Sequence, residues 1–253
     1  MEYISGENIK ISHETAVTIG KFDGLHVGHL FLLEELKKTA KKRGIATVVL
    51  SFSPHPIAFF TGRPVPLILT ASEKIYLLEQ MGIDYFVEYP FTAAFAQKSP
   101  EDFANDVLFG RLNCRALVVS EDFRFGKGGA GDVSLVEKLG SHLGFSLNVL
   151  PHVSQNGEKV SSGHIRRFIA EGNFAKAKEA MGRDYFIMGQ ITDSGLLTEK
   201  DKILPPNGEY LAIIHGEKEF FRSVVRIDEK TAWIENCGDL SGETVRIIFI
   251  GNA

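Results

Sequence analysis

Tryptophan and cysteine are almost missing from these 253 residues, with one of the first and two of the second. Cys114 and Cys237 stand far apart, in neither a CxxC nor a zinc-like spacing. They read as two reduced thiols of a cytoplasmic protein, not as a disulfide framework. A basic excess is lacking too. The formal charge is -4, so the electrostatic footprint of a nucleic-acid-binding chain is not there. No apolar run is long enough to cross a bilayer. The opening MEYISGENIK shows no basic segment followed by an apolar one, so no secretory signal is expected. What is present is the composition of an ordinary soluble protein, 44% hydrophobic and 24% charged, of a length for one substantial core and a smaller second unit.

The first 185 or so residues alternate short β-branched runs with amphipathic stretches. Strands are expected at Thr15–Ile19, Thr47–Phe52, Tyr85–Glu88, Ala116–Ser120 and Ser146–Leu150. Helices are expected near Leu30–Arg43, Ser72–Met81, Pro100–Leu112 and Val133–Leu143. Strands separated by helices imply an α/β fold with a doubly wound, mainly parallel sheet. Ligands of such sheets bind beyond the carboxyl ends of the strands. A helical pattern follows over Val160–Met181, capped by Ser161 or Ser162 and broken at Gly172. Beyond Tyr185, short apolar runs separated by Asp193-Ser194-Gly195, Pro205-Pro206-Asn207-Gly208 and Leu240-Ser241-Gly242 predict a small antiparallel, barrel-like β-domain. The expected division is therefore 1–185 and 186–253.

Four segments carry chemistry. Gly20-Lys21-Phe22-Asp23-Gly24-Leu25-His26-Val27-Gly28-His29 follows a strand and opens a helix. Its glycines allow a sharp turn and a close backbone approach, and the helix start favours phosphate. His26 and His29 share one helix face, two imidazole donors beside room for a phosphate. Taken alone, an HxxH pair on a helix is more often structural than catalytic; zinc is disfavoured, because no third ligand has a convincing spacing. Ser120-Glu121-Asp122-Phe123-Arg124-Phe125-Gly126, continuing to Asp132, supplies Arg124, Lys127 and several glycines after the fourth expected strand. It also reads as a flexible connection capped by Asp132. Ser161 and Ser162, with Arg166 one turn on, suit a phosphate or an ordinary helix cap. Ser53-Pro54-His55-Pro56 ends the second expected strand as a stiff turn whose apolar continuation could wall a planar ring or simply pack on the core.

In this order, IGKFDGLHVGH, SFSPHP, EDFRFGKGGAGD and VSSGHIRR with EGNF resemble the adenylyltransferase module of bacterial bifunctional riboflavin kinase/FMN adenylyltransferases, the FAD synthetases. The resemblance covers residues 17 to about 185. It implies a nucleotide site of Gly20, Lys21, Phe22, Asp23, Gly24, Gly28, Ser161 and Ser162, with His26, His29 and Arg166 as catalytic groups. It further implies a flavin site of Ser53, Pro54, His55, Pro56, Asp122, Phe123, Arg124, Phe125 and Gly126. The implied reaction passes AMP from ATP to FMN, with Mg²⁺ accompanying the triphosphate and no covalent intermediate. Another phosphorylated acceptor, or a non-catalytic flavin-binding protein, are the alternatives. Two departures stand out. The family's SSTRIR is here Ser161-Ser162-Gly163-His164-Ile165-Arg166, without the threonine hydroxyl and the first arginine. The kinase motif GxPTAN has no counterpart: the stretch after Gly189-Gln190-Ile191 carries Asp193 and Glu199, whose negative charge would oppose ATP. Glu235, in WIENC, is the only candidate for a kinase base, and the sequence ends at Ala253. The expectation is a shortened kinase-like barrel that does not phosphorylate riboflavin.

Overall fold

The computed structural model describes residues 1–155, 158–192, 195–229, 231–235 and 240–253. Asp193 and Ser194 of one expected turn, and Cys237, lie outside the described residues. The chain packs as two compact units: Met1–Phe22, Gly28–Val65 and Ile75–Ser154 form the first, and Asp23–Val27, Pro66–Lys74 and Gln155–Ala253 form the second.

The first unit is built on a sheet of β1 (Glu2–Ser5), β2 (Thr15–Ile19), β3 (Ala46–Ser53), β4 (Tyr85–Pro90), β5 (Cys114–Ser120) and β6 (Ser146–Leu150), in the order β1-β4-β3-β2-β5-β6. Every pairing is parallel, with Val17 opposite Val48 on one side and Leu117 on the other. All five residues of β2 are buried, as a central parallel strand covered on both faces requires. Strand order reverses at β2, since β3 and β4 extend one way from it and β5 and β6 the other. The loop after β2 therefore leaves from the topological switch point, where open α/β sheets bind ligands.

The helices named in chain order are α1 (Val27–Arg43), α2 (Pro56–Thr61), α3 (Ala71–Gln80), α4 (Ala93–Ala96), α5 (Pro100–Asp102) and α6 (Val133–Leu143). Three features depart from the sequence-based expectation. β1 was not foreseen; it is a four-residue edge strand paired with β4. The expected helix over Pro100–Leu112 is a short turn, α5, running into a π-helical stretch at Phe103–Arg111, where the Leu112 amide bonds the Val107 carbonyl five residues back. The stiff SPHP turn begins a helix, α2.

Two short strands, β7 (Ser154–Gln155) and β8 (Glu158–Lys159), precede α7 (Ser162–Ala170) and α8 (Phe174–Met181). The second unit then closes a six-stranded barrel from β9 (Phe186–Thr192), β10 (Gly195–Leu197), β11 (Gly208–His215), β12 (Phe220–Asp228), β13 (Thr231–Ile234) and β14 (Thr244–Asn252). The barrel order is β10-β13-β12-β11-β14-β9, with antiparallel neighbours. β11 alternates as a barrel strand must: Tyr210, Ala212 and Ile214 are buried while Leu211 faces out. Phe174 at the start of α8 stacks on Phe249 at 5.2 Å, joining the two helices and the barrel into one core. Among the described residues, no helix is long and apolar enough to cross a membrane.

Candidate active site

The turn after β2 is fixed by backbone bonds before any side chain acts. The Gly20 amide donates to the Leu50 carbonyl at 3.0 Å, and the Ser51 hydroxyl donates to the Lys21 carbonyl at 3.2 Å. Phe22, at φ 48°, is buried, and its ring lies 5.0 Å from that of His29 in the first turn of α1. Within the second unit, Gly24 has φ 91°, and a Cβ there would lie 3.2 Å from Ile68 Cδ1 and 3.4 Å from Ile165 Cδ1. Only glycine fits both the angle and the space.

Asp23 is the hub of this segment. Its carboxylate accepts from the Ile68 amide at 2.9 Å and the Leu69 amide at 3.2 Å, and it pairs with the Arg166 guanidinium. Arg166 also donates to the Pro66 carbonyl at 2.7 Å. The Ser162 hydroxyl donates to the Asp23 carbonyl at 2.6 Å. Ser161 is the helix cap, accepting from the His164 amide at 3.4 Å. Thus the second unit brings Asp23, Ser162 and Arg166 together, with His26 on the same segment as Asp23. Asp23, expected at the nucleotide, is 4% exposed and its carboxylate is committed to Arg166 and two amides.

His26 is held neutral at ordinary pH. Burial lowers its pKa to about 4; a hydrogen bond to its own backbone works against this, and the charges of Lys159 and Arg183 add to it. The ring is therefore a neutral imidazole at neutral pH. An unfolded histidine titrates near 6.5, so between that value and about 4 the unfolded chain binds a proton that the folded chain refuses. Stability should be full above the unfolded value and decline as pH falls towards the folded one, by about 3 kcal/mol from this residue. Denaturant unfolding from neutral to acid pH should show that slope, and His26→Asn should remove it; an identical slope in the variant would disprove the assignment.

Sequence reasoning missed the Pro66–Lys74 segment, although it supplies the amides that hold Asp23. Its backbone pairs with the far end of the chain: the Leu67 amide donates to the Asp201 carbonyl at 2.8 Å, and the Ile203 amide to the Leu67 carbonyl at 2.9 Å. Glu199 accepts from the Ala71 and Ser72 amides at 3.2 and 3.1 Å and from the Ser72 hydroxyl at 2.7 Å. Burial pushes its carboxyl up, but these bonds outweigh it and hold the pKa below the usual value. Glu199 thus caps α3.

The two segments expected at a flavin belong to the first unit. His55 Nδ1 accepts from the Ile57 amide at 3.1 Å and caps α2, whose first residue is Pro56, a position where proline forfeits no bond. Ser53 and Pro54 lead into this cap, and the Ser53 carbonyl accepts from the Phe91 amide at 2.8 Å. Beyond it, Phe59, Phe60 and Phe91 meet edge to face, and Phe60 is 67% exposed. In the second segment, Asp122 accepts from Ser120 at 2.6 Å and lies 3.4 Å from His152, while Arg124 pairs with Asp132 at 3.3 Å. Asp132 also caps α6 through the Leu135 amide. The loop is not a loose connection: Phe125 and Gly131 exchange backbone bonds at 3.1 and 2.9 Å. Gly126, at φ 72°, leaves no room for a Cβ, which would lie 2.7 Å from Pro100. Phe123 and Phe125 stack at 5.3 Å in the core, so packing accounts for both rings.

A sequence model of the family described as FAD synthetase matches residues 8–164. The FAD synthetase of Listeria monocytogenes is 34% identical over 203 residues, covering 79% of this chain and 82% of that protein. The bifunctional riboflavin kinase/FMN adenylyltransferase of Escherichia coli is 35% identical over 176 residues, covering 69% of this chain and 56% of that protein. The chain thus matches little more than half the length of the Escherichia coli protein. A crystal structure described as a macrolide-efflux protein from Streptococcus pneumoniae superposes with a TM-score of 0.82 at 20% identity, covering 97% of this chain and 89% of that one. At that identity the likeness concerns the fold alone. A family match across more than half the chain, and the Listeria relative across most of both proteins, establish that the chain belongs to the FAD synthetase family.

Proposed function

We propose that this chain performs its family's adenylyl transfer, joining the AMP part of ATP to FMN to give FAD and pyrophosphate, with residues 1–185 carrying the reaction. The observation that carries the reading is the hold of Ser162 and Arg166 on Asp23, three residues before His26 and directly after the central strand. The FMN phosphate attacks the α-phosphorus in line, and pyrophosphate leaves. Atoms and charge balance without a covalent enzyme intermediate, so alignment and charge stabilisation are what the residues must supply. His26 and His29 donate to the triphosphate, while Arg166 and the amides opening α1 offset the growing charge. Ser53, Pro54, His55 and Pro56, with Asp122, Arg124 and Gly126, border the flavin.

Mg²⁺ enters with ATP and neutralises part of the triphosphate charge. The donors around Asp23 are guanidinium, hydroxyl and backbone amides, and Asp23 itself is committed. That set suits a metal held by phosphate oxygens and water. The reaction is placed in the cytoplasm, and Cys114 suits it: the thiol is buried and pushed up to about 12 by that burial, with no redox role to play.

The barrel over 186–253 is assigned no kinase activity, because no PTAN sequence stands between Gly189 and Thr198. Glu235 is exposed, and the bonds described for it involve its backbone: its amide donates to the Val224 carbonyl at 3.0 Å, and its carbonyl accepts from the Ser223 hydroxyl at 2.6 Å. One chromatographic assay tests both statements. FMN with Mg·ATP should yield FAD and pyrophosphate, while riboflavin with Mg·ATP should yield neither FMN nor FAD. Bound but unconverted FMN, under every divalent cation tried, would leave only a flavin-binding protein; FMN or FAD made from riboflavin would restore the kinase.

A further inference from the structure

We propose that Arg183 is a positioning residue for adenylyl transfer, fixing the backbone that presents His26. The proposal rests on the role assigned to His26 above. Arg183 lies outside every motif that marks the family in this sequence. It follows Gly182, which ends α8 at φ 71°. Its guanidinium turns back to the segment before His26, donating from Nη2 to the Gly24 carbonyl at 2.8 Å and from Nη1 to the Leu25 carbonyl at 3.0 Å. A longer contact of 3.5 Å reaches the Met181 carbonyl, and the Phe186 ring centroid lies 6.0 Å away. Burial lowers its pKa to about 10, against the pull of Glu73, so it remains charged at neutral pH.

The carbonyls it holds are not arbitrary. Leu25 is fully buried and sits at φ 40°, a left-handed conformation that is unfavourable for a bulky side chain and persists only where neighbours enforce it. A peptide group is planar, so anchoring the Leu25 carbonyl fixes the direction of the His26 amide in the same plane. Anchoring the Gly24 carbonyl does the same for the Leu25 amide. Two bonds from one rigid fork therefore define two successive peptide planes, and His26 is the next residue. Lysine, a shorter point charge without the planar fork, would not fix both planes in one geometry.

A merely structural arginine would hold α8 to the barrel and affect the whole fold alike. A positioning arginine acts on residues 22–28. The test compares the full-length chain with Arg183→Ala, Arg183→Lys and His26→Ala, measuring melting, amide exchange, and kcat and KM for ATP and FMN. Arg183→Ala should exchange faster at residues 22–28 alone and lose about 10²-fold in kcat, with each KM within about threefold. Methylguanidine should restore part of that kcat. A kcat within about twofold of the parent beside an impaired His26→Ala, or unchanged exchange at 22–28, would overturn the proposal. Should Arg183→Ala fail to fold, Arg183→Lys decides: a fall in kcat of about tenfold or more at a retained melting temperature supports it, and parental kcat overturns it. An active His26→Ala would instead overturn the role of His26, and this proposal with it.

Discussion

His29→Ala should lower kcat for FAD formation by about 10²-fold or more, close to 3 kcal/mol of transition-state stabilisation, while the KM for ATP changes little. The reason lies in when the charge appears. A donor that meets charge developing at the triphosphate only during transfer contributes to the transition state and not to the ground state. His29 stands in the first turn of α1, where the amides and the dipole already favour negative charge. Its ring also packs against Phe22 at 5.0 Å, and such ring pairs contribute about 0.5–1.5 kcal/mol. Alanine removes both the donor and the packing, so a second variant must separate them. His29→Phe keeps a ring against Phe22 and removes the N–H. It should melt near the parent temperature yet be as inactive as His29→Ala. Activity in His29→Phe would mean that the ring, and not the donor, is what the reaction needs, and His29 would leave the catalytic set.

Much of this arrangement is written locally in the chain. Thr15–Ile19, Ser146–Leu150 and Val133–Leu143 occur where their patterns predict, because buried strands and amphipathic helices repeat over a few residues. The HVGH and SSGH segments are legible for the same reason: a glycine turn or a hydroxyl cap is a short-range device. β1 was not legible, since Glu2-Tyr3-Ile4-Ser5 is a short edge segment that depends on its distant pairing with β4. α2 was hidden by Pro54 and Pro56, which signal a turn unless the cap made by His55 is seen. Pro66–Lys74 was hidden more deeply. Its contribution is made by backbone amides that meet Asp23 across more than forty positions of sequence, and amides carry no side-chain signature. Arg183 and Lys202 are single basic residues among 28, and only the fold distinguishes them from solvated ones.

Lys202 shows what the barrel half of the chain contributes to this support. Its side chain is 1% exposed and that of Glu73 is fully buried, with the ammonium 2.5 Å from the carboxylate. Lys202 also donates to the Ile68 carbonyl at 2.7 Å and the Phe186 carbonyl at 3.2 Å, and lies 5.0 Å from the Tyr185 ring centroid. Glu73 accepts from the Thr70 amide at 2.9 Å and the Met188 amide at 2.7 Å. Every polar atom of the pair has a partner, which is the condition under which a buried ion pair is tolerated. Lys202→Met keeps the stem's volume and removes the charge, leaving the Glu73 carboxylate buried without its counter-ion. The expected loss is about 3–5 kcal/mol, enough to lower the melting temperature by on the order of 10 °C in a chain of this size. Adding Glu73→Gln should recover part of that loss, because the stranded charge and not the missing attraction is the larger cost. Recovery should be incomplete, since the carboxylate accepts two amides on its two oxygens and a glutamine offers one carbonyl oxygen. Denaturant unfolding of the two single variants and the double variant gives the coupling directly. A loss below about 1 kcal/mol in Lys202→Met would place the pair in the range of solvated surface bridges, and the barrel's hold on the Asp23 support would have to come from the Leu67 backbone pairing and the Glu199 bonds to Ala71 and Ser72.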